Sequence, residues 1–241
     1  MKNKILVVVA VIIFAAFINV SAQDSKGYIG ISGGYSSIFG NITKGDDYLN
    51  LSQGFAKSGA PAFAIDGAYF FNKNIGAGLM FNISTYGVTG QDVLSAGYVE
   101  AFAVDEVTMT IGSYKMFNIL PAFYYTLPIN KLNVDFRFMI GYSGLTTPEI
   151  KVQLEDAADT PLIQEASSGG GLALGLGAGM RYAFTKHIGA AVRLDYLNAK
   201  QSVDIKYSNL NNPTDGLFRN LTTYNESIGN FNATLGLVYN F

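Results

Sequence analysis

Residues 230–241 alternate as strictly as an extended strand allows. Phe231, Ala233, Leu235, Leu237, Tyr239 and Phe241 share one face, while Asn230, Asn232, Thr234, Gly236, Val238 and Asn240 share the other. Successive side chains of a strand point to opposite sides, so this segment has one large apolar wall and one small or polar wall. Nothing else in the chain narrows its fold more, because the same two-faced pattern recurs along its length, in eight segments altogether.

In Leu132–Leu145, Leu132, Val134, Phe136, Phe138, Ile140 and Tyr142 oppose Asn133, Asp135, Arg137, Met139, Gly141 and Ser143. Leu172–Phe184 sets leucines, Met180 and aromatics against Ala173, Gly175, Gly177, Gly179, Arg181 and Ala183. Ile188–Ala199 repeats the arrangement, and weaker versions run through Gly27–Ser36, Ala62–Phe71, Ile75–Gly87 and Tyr114–Leu127. A soluble sandwich also alternates, but its outer face carries polar residues. Here the more apolar face is large and aromatic and the other is mostly Gly, Ala, Ser and Asn. That is the pattern of a barrel with lipid outside and a crowded interior.

The connections give separate support. Asn72–Asn74, Pro128–Lys131 and Thr185–His187 read as short turns, whereas the stretches near 37–61, 88–113, 146–169 and 200–226 are long. Short periplasmic turns alternating with long extracellular loops mark a transmembrane barrel. The expectation is an all-β, eight-stranded, antiparallel up-and-down transmembrane barrel over residues 23–241, with both ends on the periplasmic side. Within the loops, Val107–Ile111, Ile150–Leu154 and Val203–Tyr207 keep alternating and read as barrel strands extended beyond the membrane as hairpin ribbons. Their tips are expected at Gly45–Asp47, Asp156–Thr160 and Asn209–Asp215.

Residues 1–22 read as a cleaved signal peptide. Lys2 and Lys4 precede the apolar run Ile5–Val20, and Val20-Ser21-Ala22 presents small residues before Gln23. The run falls short of the ~18 residues that a membrane-spanning helix needs. Losing those two lysines leaves 14 of the 16 Lys+Arg against 18 Asp+Glu. A mildly acidic chain of this kind lacks the basic stripe of a nucleic-acid binder. It has no cysteine, so an exported protein of this size must hold together without disulfides.

With its leader, its eight alternating segments and its terminal T-L-G-L-V-Y-N-F, the chain resembles the small bacterial outer-membrane barrels of the OmpA/OmpX/OmpW type. The resemblance covers essentially all of residues 23–241. It implies residence in outer-membrane lipid, and insertion by the barrel-assembly machinery through a last-strand signal matched by Leu235, Leu237, Tyr239 and Phe241. Barrels of this type serve as envelope-stabilising proteins, adhesins, narrow channels or lipid-modifying enzymes, so the fold leaves the task open.

The most specific chemistry is a set of charges on the inward face: Asp66, Asp135, Asp195, Arg137, Arg181 and Arg193. Buried charges must pair, and the interior of an eight-stranded barrel is just wide enough for side chains to fill. The set therefore reads as a salt-bridge plug, with a gated, charged conduit as the alternative. Gly175, Gly177 and Gly179 fall on that same face and read as positions kept small for the arginines rather than as a phosphate loop. Tyr28, Tyr69, Phe71, Tyr125, Tyr182, Phe184, Tyr196 and Tyr239 are expected outside, as girdles at the membrane interfaces.

The only histidine, His187, sits in a short turn, at the end opposite the outer rim where lipid A-modifying barrels work. The acidic pairs Asp46/Asp47, Asp105/Glu106 and Glu155/Asp156 lack the spacing of a calcium loop and read as solvated. No cofactor or metal is expected. The leading functional expectation is a monomeric, non-enzymatic barrel with an envelope-structural or surface-interaction role, the loops carrying any ligand site. A narrow porin-like channel and an outer-leaflet lipid enzyme are the alternatives.

Overall fold

The structure, a computed structural model, describes residues 26–45, 54–155, 162–209 and 222–241. In chain order the strands are β1 (Gly27–Phe39), β2 (Gly59–Phe70), β3 (Ile75–Tyr86), β4 (Val107–Ile111), β5 (Tyr114–Ile129) and β6 (Leu132–Thr146). There follow β7 (Ile150–Leu154), β8 (Leu162–Gln164), β9 (Ser168–Ala183), β10 (Ile188–Ile205), β11 (Tyr207–Asn209) and β12 (Thr222–Asn240). One helix, α1 (Gln91–Phe102), lies between β3 and β4.

Eight strands close into an antiparallel barrel in the order β1-β2-β3-β5-β6-β9-β10-β12. β12 returns to β1 in a register running from Tyr28↔Asn240 to Phe39↔Gly229, so no edge is left in the wall. Phe136, Phe138, Ile140, Leu174, Leu176, Leu235 and Leu237 all point outward. On β12 the outward face is apolar from Phe231 to Phe241, which at strand rise and barrel tilt spans about 25 Å, the height of a hydrocarbon band. β10 and β12 run past that band: Asn198, Lys200, Ser202 and Asp204 face outward there, still paired with β12. The strands are thus longer than the apolar pattern alone shows, because above the lipid the outer face turns polar.

Local chemistry sets the short turns. Asn72 Oδ1 accepts hydrogen bonds from Asn74 N (2.9 Å) and Ile75 N (2.8 Å). Thr185 Oγ1 does the same for His187 N (3.2 Å) and Ile188 N (2.9 Å). The third turn is tighter than expected. Pro128 stays in β5 opposite Asn133, and Asn130 bends the chain with φ 55°, a left-handed conformation that Asn tolerates better than most residues.

Two expectations about the loops are overturned. Val107–Ile111 and Ile150–Leu154 are not ribbons growing from their own barrel hairpins: β4 pairs with β7, across two different loops. β8 and β11 extend this into a second, four-stranded sheet of order β11-β8-β7-β4. Of the third segment, Val203–Ile205 does continue β10 against β12, but Tyr207 belongs to β11 of the second sheet. The helix α1 is also new. Leu94 and Tyr98, one helical turn apart, are buried against Phe55, Val107, Ile150 and Val152 in an apolar core distinct from those of the barrel. Of the expected loop tips, Asp46, Asp47, 156–160 and 210–215 lie outside the described residues, and Asn209 ends β11.

Candidate functional site

The inward residues of β10 sample the lumen in order from the short-turn end: the small Gly189 and Ala191, then Arg193, Asp195, Leu197, Ala199, Gln201, Val203 and Ile205, all buried. Past the two small residues comes charge, then an apolar layer, then a polar belt, then a second apolar layer beneath the second sheet.

The charged layer brings all six expected residues together, from β2, β6, β9 and β10. Arg137 Nη2 lies 2.6 Å from Asp195 Oδ1, Arg181 Nε lies 2.5 Å from Asp135 Oδ2, and Arg193 Nη2 lies 3.0 Å from Asp66 Oδ2. Arg181 grips Asp135 with both arms, its Nη2 donating to Oδ1 at 2.9 Å, and Thr126 Oγ1 donates to the same oxygen at 2.6 Å. Three acids and three guanidinium groups cancel, which is what makes a buried charged layer tolerable in a low-dielectric interior.

Tyr28 belongs to this layer, which corrects its expected place in an outer girdle. It is 1% exposed, its hydroxyl donates to Asp66 Oδ2 (2.7 Å) and stands 3.1 Å from the Tyr124 hydroxyl, and the Arg181 guanidinium lies 4.2 Å from its ring centroid. Phe70 takes the same guanidinium at 5.0 Å, so Arg181 is held by a carboxylate and by two aromatic faces. The parity of β1 carried the signal: with Ile29 and Ile31 outward, Tyr28 must point in. The other seven girdle aromatics do face outward.

The glycines make room for the charges. A Cβ on Gly177 would stand 2.1 Å from Asp195 Oδ1 and 3.1 Å from Arg137 Nε, and one on Gly179 would meet Arg193 Cγ at 3.3 Å. A Cβ on Gly175 would instead meet Leu197 Cδ2 at 2.3 Å and Met139 Cε at 3.2 Å, in the apolar layer.

Above, Leu120, Met80, Met139 and Leu197 form that apolar layer. A neutral polar belt comes next. Asn230 Nδ2 donates to Ser36 Oγ (2.8 Å) and Tyr86 Oη (2.7 Å), Asn118 Nδ2 to Asn82 Oδ1 (3.1 Å), and Gln201 Nε2 to Ser143 Oγ (2.8 Å). Ile38, Tyr114, Leu145, Ile205, Tyr224 and Ile228 form a second apolar layer above the belt.

Leu235, Leu237, Tyr239 and Phe241 face outward, each more than half exposed. Phe241 ties the seam, its carbonyl accepting from Lys26 N (2.6 Å) and Gly27 N (3.0 Å). His187 stacks on Tyr239, with its Nδ1 3.1 Å from the Asn240 carbonyl. Asp105, Glu106 and Glu155 are exposed, while Asp46, Asp47 and Asp156 fall outside the described residues. Among the described residues no cluster of three or more His, Cys, Asp or Glu is placed to hold a metal.

No curated protein sequence matches the chain. Similar solved structures include Ail, the attachment invasion locus protein of Yersinia pestis (14% identity, covering 90% of this chain and 99% of that one, TM-score 0.44). Others are OprG from Pseudomonas aeruginosa (13%, 92% and 99%, TM-score 0.47) and Neisserial surface protein A (11%, 92% and 100%, TM-score 0.46). The family described as outer membrane protein beta-barrel domain matches residues 6–241. The chain belongs to that family and resides in the bacterial outer membrane.

Proposed function

We propose that this protein is a closed, monomeric, non-enzymatic barrel whose task is performed by a folded extracellular cap, in a surface-interaction or envelope-structural role. One observation carries the reading: β4, β7, β8, β11 and α1 build a cap with an apolar core of its own, over a lumen filled from the ion pairs upward. Loops that served only to connect strands would not need a core. Exposed Thr108, Thr110 and Lys151 then form a fixed outer surface for a ligand.

Planar-bilayer conductance of the purified protein separates this reading from the narrow channel. The expected result is the lipid background alone; steady single-channel steps, abolished in a variant that shuts the lumen, would overturn it. Cross-linking on intact cells, comparing the native chain with one whose residues 88–112 are replaced by a short linker, addresses the surface role. Partners lost with the cap support it. Lipid A of unchanged mass on expression is the outcome expected of a protein that does not modify lipid.

Two further readings concern biogenesis. Residues 1–22 act as a leader, so N-terminal sequencing of the outer-membrane form should begin at Gln23. Leu235, Leu237, Tyr239 and Phe241 act as the assembly signal for the barrel-assembly machinery. Deleting Phe241 should therefore lower the folded fraction in the membrane while the initial exported pool stays unchanged.

A further inference from the structure

We propose that the periplasmic mouth of the barrel is a binding site for a compact, phosphate-bearing anion. Three short turns surround this mouth, and each supplies one lysine and no acid: Lys73 between β2 and β3, Lys131 between β5 and β6, and Lys186 between β9 and β10. All three line one concavity of about 580 Å³ that opens into the lumen from below. Asn133 and Asn240 add amide groups to its wall.

Ala183, a small inward residue of β9, lines the concavity beside Val238. Its floor is Arg181, 6% exposed, whose Nε and Nη2 both hold Asp135. The charge of the floor is thus cancelled within the protein, whereas none of the three rim lysines has an ion-pair partner among the described residues.

The dimensions decide what such a site attracts. A rounded cavity of this volume is about 10 Å across, close to the Debye length at physiological salt, so three ammonium groups on its rim act together on a charge at its centre. Concave, low-dielectric walls focus that field. Lysine is a compact point charge rather than a planar fork, which suits a small anion carrying two or more charges better than a single carboxylate. The same phosphate chemistry reaches this mouth in two forms: as a soluble ester in periplasmic water, and as the headgroup of an anionic phospholipid in the inner leaflet.

The test uses the full barrel in nanodiscs. With phosphatidylcholine discs at low salt, calorimetric titration with inorganic pyrophosphate is expected to saturate at one site per chain. Lys73→Gln/Lys131→Gln/Lys186→Gln should weaken it at least tenfold, whereas Lys57→Gln/Lys115→Gln/Lys200→Gln at the other end should leave it unchanged. In a second arm, phosphatidylglycerol retained through purification is quantified for both triple variants. Pyrophosphate binding that depends on the mouth lysines identifies a soluble ligand. Its absence, together with mouth-dependent retention of phosphatidylglycerol, identifies the lipid. Neither effect, or equal losses from both triple variants, overturns the proposal. Heat-modifiable electrophoretic mobility reports folding; should the mouth triple variant fail it, single Lys→Gln variants are titrated instead, each expected to weaken binding several-fold.

Discussion

The barrel wall and the cap above it use the same alternation of side chains against different surroundings. In the wall, Phe136, Leu174 and Leu235 face hydrocarbon, and the inward face holds ion pairs, amides and glycines between apolar layers. In the cap, Thr108, Thr110 and Lys151 face water, and Val107, Ile150 and Val152 turn to an apolar core. The wall is held by closure and by buried polar contacts as well as apolar layers; the cap is held by ordinary hydrophobic packing across loops. The difference shows that the solvent, and not the strand pattern, decides which face must be satisfied from within.

The sharpest way to break this contrast is to unbalance the charged layer. Asp135→Ala leaves Arg181 buried without its carboxylate, and removing one partner of such a pair costs about 3–5 kcal/mol. Denaturant unfolding of the micelle-embedded protein should show that loss in the barrel transition. Next comes the cap. Leu94→Ala opens a hole in its small core, with an expected cost of about 2–5 kcal/mol, read as faster proteolysis between residues 88 and 113 while the folded barrel keeps its electrophoretic mobility. If barrel and cap melt together in that variant, they are one cooperative unit and the contrast fails. Tyr28→Phe should cost less, about 1.5–3 kcal/mol for a hydrogen bond to a charged group, again in the barrel transition. The smallest effect is expected at the hairpin of Asn130. Its φ of 55° makes Asn130→Ala lose about 1–2 kcal/mol, whereas Asn130→Gly should be close to neutral in the same unfolding measurement.

Much of the wall is legible in the sequence. Alternation fixed faces on β6, β9, β10 and β12, short turns carried their own Asn and Thr chemistry, and the six interior charges could be projected onto one side. Tyr28 was misplaced because β1 is interrupted by glycine and serine, which blur its two faces, although Ile29 and Ile31 hold the parity. The cap was hidden for a different reason. Alternation in Val107–Ile111 shows that a strand forms but not which segment it pairs with, and its partner, Ile150–Leu154, lies in another loop. The sequence signals the helix weakly, because Leu94 and Tyr98 give it only a narrow apolar stripe, with Gly97 in its interior.

The charged layer has one more consequence, and it concerns errors. A slip of one residue in any strand pairing sends every side chain of that strand to the opposite face. For β6 it would put Asp135 and Arg137 into hydrocarbon together, and for β10 Arg193 and Asp195. An arginine alone costs about 2–4 kcal/mol at the bilayer midplane. Four strands of the wall therefore carry their own check on alignment, and a misthreaded barrel is penalised where it is slipped, before the last strand meets the first.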